Sequence, residues 1–335
     1  MADERRIVDE VVRAVGLAEG EPGVRSVLSA LARLEPVAIR RLSRVSGLPV
    51  PIVASICGEL RKRGVVSSAR PAQLTARGRE LFAGGGLRLP ETGCPTCSGR
   101  GRILPPELAP SVRDAARSAR QAPAPRFDLD QCHCTVETKL RRVLAAHEAD
   151  ALVGRRVLLL GDDDLVSLAV ESVVRRHGSA RTISKLTVLD IDPAVVAFAS
   201  KGLEQARFPV SCLVHDLRAP LPDALQGAFD TVFTDPPYTP AGARLFLSRA
   251  AEALRGEGDV FLSFGSKRPE STFSVQQEML RLGFSIRALT PDFNRYVGAG
   301  ALGGSSSLYH LVATSRVRPL VTGEFHQPMY TAEVP

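Results

Sequence analysis

Seven aspartates carry the first chemical signal in this chain. Asp162, Asp163 and Asp164 stand side by side, and Asp190, Asp192, Asp216 and Asp235 follow further along. Each group comes directly after a short apolar run, at 156–160, 186–189, 209–214 and 229–234. Aspartate is a poor strand residue, so acids closing four successive apolar runs point to a binding edge rather than to strand propensity. Taken singly, Asp164 and Asp192 have a plainer reading as helix caps. As a set they describe a cleft lined with carboxylates. Such a cleft attracts ammonium and sulfonium groups and repels phosphate, which makes NAD and ATP poor ligands. Pro236, Pro237 and Tyr238 follow Asp235.

A second signal is the spacing of four cysteines. Cys94-Pro-Thr-Cys97, followed by Gly99 and Gly101, has the form of a knuckle, and Cys132-His-Cys134 supplies two more thiols. Four thiolates suit tetrahedral zinc, so a structural zinc is expected there, with His133 as a substitute ligand. The alternative is four unligated thiols or a redox pair. Cys57 and Cys212 read as small buried hydrophobes.

The elements that must position these groups alternate between strand and helix. The run 156–160 reads as a buried parallel strand. Helix 165–176 follows, with Leu165, Leu168, Ala169 and Val173 on one stripe. Strands at 186–189, 209–214, 229–234 and 259–264 alternate with helices opened by Pro193 and at 243–254 and 274–282. The last strands, 284–289 and 307–314, can form an antiparallel pair. This alternation predicts a doubly wound α/β sheet whose ligands bind outside the carboxyl ends of the strands. The glycine-rich stretch 298–304 is expected to be a mobile loop. The tail 317–335 is a candidate lid, its plainer reading being disorder.

The N-terminal third has another rhythm. Helices at 24–34, 38–45 and 51–63, the turn Gly47-Leu48-Pro49, and two short strands at Val65-Val66 and Leu74 resemble a winged-helix domain. Three regions follow: a winged-helix domain at 1–85, a Cys-containing connector at 86–150, and a catalytic domain with its tail at 151–335. Net charge is +7, and all of it lies in the first 150 residues, which hold 24 Lys and Arg against 17 Asp and Glu. Residues 151–335 balance at 19 against 19. A uniformly basic coat for nucleic acid is therefore excluded. Arg61, Lys62 and Arg63 end their helix, where the dipole favours cations anyway, whereas base readers usually sit near its start. No apolar run reaches the roughly 18 residues of a membrane span. The start, MADERRIVDE, has no apolar signal region, and six cysteines in 335 residues make no disulfide framework, so a reducing cytoplasm is expected.

The strand order and its acids resemble the class I methyltransferase-like (Rossmann-like) fold that binds S-adenosyl compounds. That resemblance implies that Asp190 or Asp192 holds ribose hydroxyls, that Asp216 meets the adenine amino group, and that Gly161 opens the donor loop. Methyltransferases of this fold carry a glycine-rich loop after the first strand, and here three carboxylates replace it. They would repel a donor bearing its own carboxylate and welcome decarboxylated S-adenosylmethionine, whose transferable group is aminopropyl. Gly161-Asp-Asp-Asp-Leu165, Asp235-Pro-Pro-Tyr-Thr239, the upstream Phe127-Asp-Leu-Asp and Thr135-Val-Glu-Thr138, and the N-terminal module together resemble the branched-chain polyamine synthases of thermophiles. These are N4-bis(aminopropyl)spermidine synthases, which transfer aminopropyl groups to the central secondary amine of spermidine and release methylthioadenosine. The resemblance implies Asp163 as the base, with Asp162, Asp164, Asp235, Pro236 and Tyr238 around spermidine. It further implies decarboxylated S-adenosylmethionine as co-substrate, no cofactor for the chemistry, and a homodimer. The rival reading is an S-adenosylmethionine-dependent amino-methyltransferase acting on nucleic acid, since Asp-Pro-Pro-Tyr also occurs there. Against it stand the missing glycine loop and the repulsion between phosphates and three adjacent acids. A non-enzymatic polyamine sensor is the third reading.

Overall fold

The computed structural model describes residues 2–82, 94, 97, 101–178, 182–265, 269–298 and 304–333. Most of the expected loop at 298–304 lies outside these residues. The chain divides into two compact units, the first covering residues 1–93 and the second holding the sheet.

The first unit is helical. Helices α1 (Ala2–Val15), α2 (Gly20–Leu34), α3 (Ile39–Ser46), α4 (Val50–Lys62) and α5 (Ala76–Phe82) surround a core that includes Val8, Val11, Val27, Leu31, Leu42, Ile56, Leu60 and Leu74. Gly47 ends α3 at φ +73°, a left-handed conformation that glycine adopts without steric cost. Pro51 lies in the first turn of α4, where its missing N–H is no loss. The expected pair of wing strands is reduced to isolated antiparallel bridges, Val66 with Leu74 and Val37 with Ala72. The basic run at the end of α4 is internally engaged. Lys62 and Arg63 each reach Glu59 at 2.6 Å, and Arg63 also meets Glu10 at 3.1 Å. These cations lie at the helix C-terminus and already have carboxylate partners.

The second unit departs from the expected connector. Helices α6 (Ala109–Gln121) and α7 (Val136–Glu148) form in that stretch and pack on the next helix. Leu140, Val143 and Ala146 of α7 recur at helical spacing and are buried in the main core. Proline and glycine punctuation around 86–130 had masked this periodicity.

The sheet contains β1 (Arg155–Leu160), β2 (Ile183–Asp190), β3 (Val210–Val214), β4 (Phe229–Thr234), β5 (Leu254–Phe264), β6 (Phe284–Arg295) and β7 (Ser305–Ala313). Their spatial order is β3-β2-β1-β4-β5-β7-β6. The first five strands run parallel, and β7 is antiparallel to both β5 and β6. Alternation along β1 assigns its side chains to two cores. Val157 and Leu159 join α7, α8 (Val166–His177) and α9 (Pro193–Leu203). Leu158 and Leu160 join α10 (Pro240–Ala253) and α11 (Pro269–Arg281) on the other face. With helices on both faces, polar ligands have access at the carboxyl edge, where the strand order reverses between β1 and β4.

Candidate active site

The three adjacent acids after β1 have three different fates. Gly161 turns the chain at φ +75°, and its N–H donates to the Leu189 carbonyl at 2.8 Å. Asp162 then points inward. It is 1% exposed and accepts from the Ser167 backbone N–H and from the Ser167 hydroxyl, which caps α8. Burial pushes its carboxyl up to about 7. Asp164 also points inward and accepts from the Cys134 N–H and, at 2.7 Å, from Arg142. The Arg142 and Lys139 cations hold it below the ordinary carboxylate value against burial. Asp163 remains half-buried and accepts one neutral donor, the Cys132 N–H, at 3.2 Å. Burial and the carboxylates of Asp164, Asp190 and Asp235 push it well above its usual range. Leu165 closes the loop in the left-handed region at φ 53°, which costs a non-glycine residue about 1–2 kcal/mol. The loop is thus held in a strained shape that separates its acids.

Asp235 is half-buried beside the same cation. Its Oδ2 accepts from Arg142 at 2.8 Å and from the Tyr296 hydroxyl at 2.7 Å. It shares Arg142 with Asp164, whose negative charge lies close, and burial outweighs the remaining attraction, so its carboxyl is pushed up to about 6. Arg142 itself is 4% exposed and also donates to Asn294 at 2.9 Å. One guanidinium therefore ties α7 to the loop after β1, the loop after β4, and β6. The Tyr238 hydroxyl lies 2.6 Å from that of Tyr296.

At the end of β2, both Asp190 oxygens accept backbone N–H groups at 2.8 Å, one from Asp162 and one from Asp192. Asp192 caps α9 through Ala194 at 2.8 Å. Asp216 is paired with Arg218 at 2.7 Å. The tail packs across the same edge. Phe325 N–H donates to the Arg218 carbonyl at 2.9 Å, and Thr239 donates to the Met329 carbonyl at 2.6 Å. Arg249, fully buried on α10, binds the carbonyls of Leu217, Val321 and Gly323 at 2.8–3.1 Å. The tail is packed structure over residues 317–333, rather than a disordered end.

Three expectations therefore change. Asp162 is buried on Ser167 at the start of α8, and Asp164 and Asp235 already carry a guanidinium, so Asp163 is the acid of the triplet that combines partial exposure with no cationic partner. Three neighbouring carboxylates cannot all remain charged and unpaired when buried, and the fold separates them by giving each a different partner. The cysteines change role too. Among the described residues, none of the four thiols belongs to a trio of His, Cys, Asp or Glu donor atoms within 4.8 Å of one another. The backbone amides of Cys132 and Cys134 bind Asp163 and Asp164, so this segment frames the acids. His133 continues the frame, with Nδ1 2.8 Å from the Asp163 carbonyl and Nε2 2.9 Å from that of Pro123.

Residues 112–330 match the family model of the branched-chain polyamine synthase A C-terminal domain. The chain belongs to this family. It is 36% identical over 253 residues to an N(4)-bis(aminopropyl)spermidine synthase of Thermus thermophilus, covering 76% of this chain and 69% of the relative. A synthase of the same name from Thermococcus kodakarensis is 31% identical over 305 residues, covering 88% of this chain and 84% of the relative. The solved structure of the Thermus thermophilus branched-chain polyamine synthase, in complex with N4-aminopropylspermidine and 5'-methylthioadenosine, superposes with a TM-score of 0.76. It is 28% identical and covers 98% of this chain and 97% of that one.

Arg142, Asn294 and Tyr296 join the acids of this candidate site and were missed by sequence reasoning. A signal existed for Arg142. It stands between Leu140 and Val143 in a helical apolar pattern, and a buried arginine needs a carboxylate. No comparable signal marks Tyr296, which reaches the site from the far end of β6.

Proposed function

We propose that the chain transfers aminopropyl groups from decarboxylated S-adenosylmethionine to the central secondary amine of spermidine, giving branched-chain polyamines and methylthioadenosine. Membership of the family supports the reaction. The observation that carries the assignment of roles is that Asp163 is half-buried and free of a cationic partner, whereas Asp162 is buried on Ser167 and Asp164 is buried on Arg142.

The neutral secondary amine attacks the propyl carbon bound to the sulfonium. The new N–C bond forms as the C–S bond breaks, and sulfur leaves with the electron pair as a neutral thioether. The product ammonium then gives up its proton. Asp163 takes that proton in this reading, and its raised affinity for protons suits the task. Because the leaving group is neutral, no oxyanion site is needed, and positioning supplies most of the acceleration. Asp190, Asp192 and Asp216 keep the donor-side roles, Gly161 shapes that loop, and Pro236 and Tyr238 wall the amine. Asp162, Asp164 and Asp235 act on spermidine through the shape and field of the site rather than as direct anchors.

The reading needs no resident cofactor, and the cysteine geometry gives zinc no support. Metal analysis of purified protein should find well below one zinc per chain, and a full equivalent lost on Cys97→Ser would reverse that. A homodimer is supported by the resemblance alone and is checked by sedimentation. Among the described residues no helix is long and apolar enough to cross a membrane, and no disulfide joins the described cysteines.

The deciding experiment incubates purified protein with spermidine and either decarboxylated or intact S-adenosylmethionine. Methylthioadenosine and products heavier by one or two aminopropyl groups are expected from the first donor alone. Adenosylhomocysteine from the second would instead support amino-methyl transfer.

A further inference from the structure

A chain of hydroxyls runs from Asp235 to Tyr238, and its direction follows from which groups can give a proton. Asp235 accepts from Arg142 at 2.8 Å and from Tyr296 at 2.7 Å. A guanidinium has no acceptor and an ionised carboxylate has no donor. The Arg142 guanidinium on the same oxygen favours the ionised form of Asp235. The single proton of Tyr296 is therefore committed to Asp235. Arg142 donates to the Tyr296 oxygen from a second side, at 3.2 Å. The Tyr238 and Tyr296 oxygens lie 2.6 Å apart, so a proton must stand between them. Only Tyr238 has one to give. Burial and Asp235 push both phenols well above their usual range, so both keep their protons. Ser306, 3.0 Å from the Tyr296 hydroxyl, accepts from the Asn294 amide at 2.8 Å and helps hold Tyr296 in place.

Tyr238 is half-buried, Ser306 is a second hydrogen-bond partner of its hydroxyl, and with its own proton turned toward Tyr296 that hydroxyl can offer a ligand only a lone pair. We infer that Tyr296 is a positioning residue that holds Tyr238 in the accepting sense, so that Tyr238 takes an N–H of the incoming amine and leaves the nitrogen lone pair free for attack. A Tyr238 turned the other way would donate to that lone pair and compete with bond formation. This inference rests on the aminopropyl-transfer reading above.

The test is steady-state kinetics on four forms of the full chain: wild type, Tyr296→Phe, Tyr238→Phe and the double variant. Tyr296→Phe should lower kcat about tenfold, the scale of one hydrogen bond, with the donor KM unchanged. Tyr238→Phe should raise the spermidine KM about five- to tenfold through loss of the N–H acceptor. The double variant should be no slower than Tyr238→Phe, because Tyr296 acts only through Tyr238. Additive losses would mean that Tyr296 works through Arg142 or Asp235 instead, and would overturn the inference. So would a Tyr238→Phe enzyme that turns over faster or keeps the wild-type spermidine KM, a result that needs only that variant to fold. Wild-type protein that makes no methylthioadenosine with spermidine would refute the function itself.

Discussion

Replacing Arg142 by methionine keeps an unbranched side chain of similar length and removes the cation that joins four segments. The guanidinium is 4% exposed and contacts Asp164, Asp235, Asn294 and Tyr296 at 2.7–3.2 Å. Removing one member of a buried ion pair costs about 3–5 kcal/mol, because the partner charge stays buried and unpaired. For a unit of this size that corresponds to a melting temperature lower by about 6–20 °C. The loss should depend on pH. Arg142 and Lys139 hold the folded Asp164 below its ordinary value, so its stabilisation is present above the unfolded pKa and fades as pH falls through the folded one. Without Arg142 the Asp164 carboxyl rises, and protonation on acidification relieves the unpaired charge. Denaturant or thermal melts at several pH values should therefore show the widest gap between wild type and Arg142→Met near neutrality, narrowing toward pH 4–5. Adding Asp164→Asn to Arg142→Met should recover part of the loss at neutral pH. A gap below about 1 kcal/mol, or one equal at both ends of the range, would refute the claim that this cation neutralises the acidic loop.

Asp163→Asn should lower kcat by about 10²–10⁴, with less effect on the spermidine KM and a smaller deficit at high pH, where more amine is already neutral. A change confined to KM would make Asp163 an anchor and move the base elsewhere. Asp162→Asn should flatten the pH dependence of stability. The buried Asp162 carboxyl is pushed up to about 7, so the folded state loses stability as pH rises from the ordinary carboxylate range through that value. Relative to wild type, the variant should gain on going from pH 5 to pH 8, and a constant offset in melts would count against a protonated Asp162.

The acids at the carboxyl edge were legible because each strand carries its own local signal. An apolar run of five or six residues, such as 156–160 or 229–234, marks a buried strand, and the aspartate after it marks where that strand meets solvent or ligand. The antiparallel end of the sheet followed from the two closing runs at 284–289 and 307–314. Less visible was α7, because the surrounding prolines and glycines suggested a linker although Leu140, Val143 and Ala146 keep helical spacing. The cysteine segment also has a part that its spacing did not reveal. Cys-x-Cys resembles half a metal site, but here it is the backbone amides, which every residue type carries, that bind the acids.

By itself, the sequence determined the strand–helix alternation, the parallel sheet and the collection of acids at one edge, since these depend on periodicity and on residues a few positions apart. Only the tertiary structure decided which acids stay available. Arg142 meets Asp164 across 22 residues and Asp235 across 93, and Tyr296 meets Asp235 across 61. A carboxylate's charge state follows from its burial and from cations within a few ångströms, and those neighbours arrive from helices and strands that no local pattern connects.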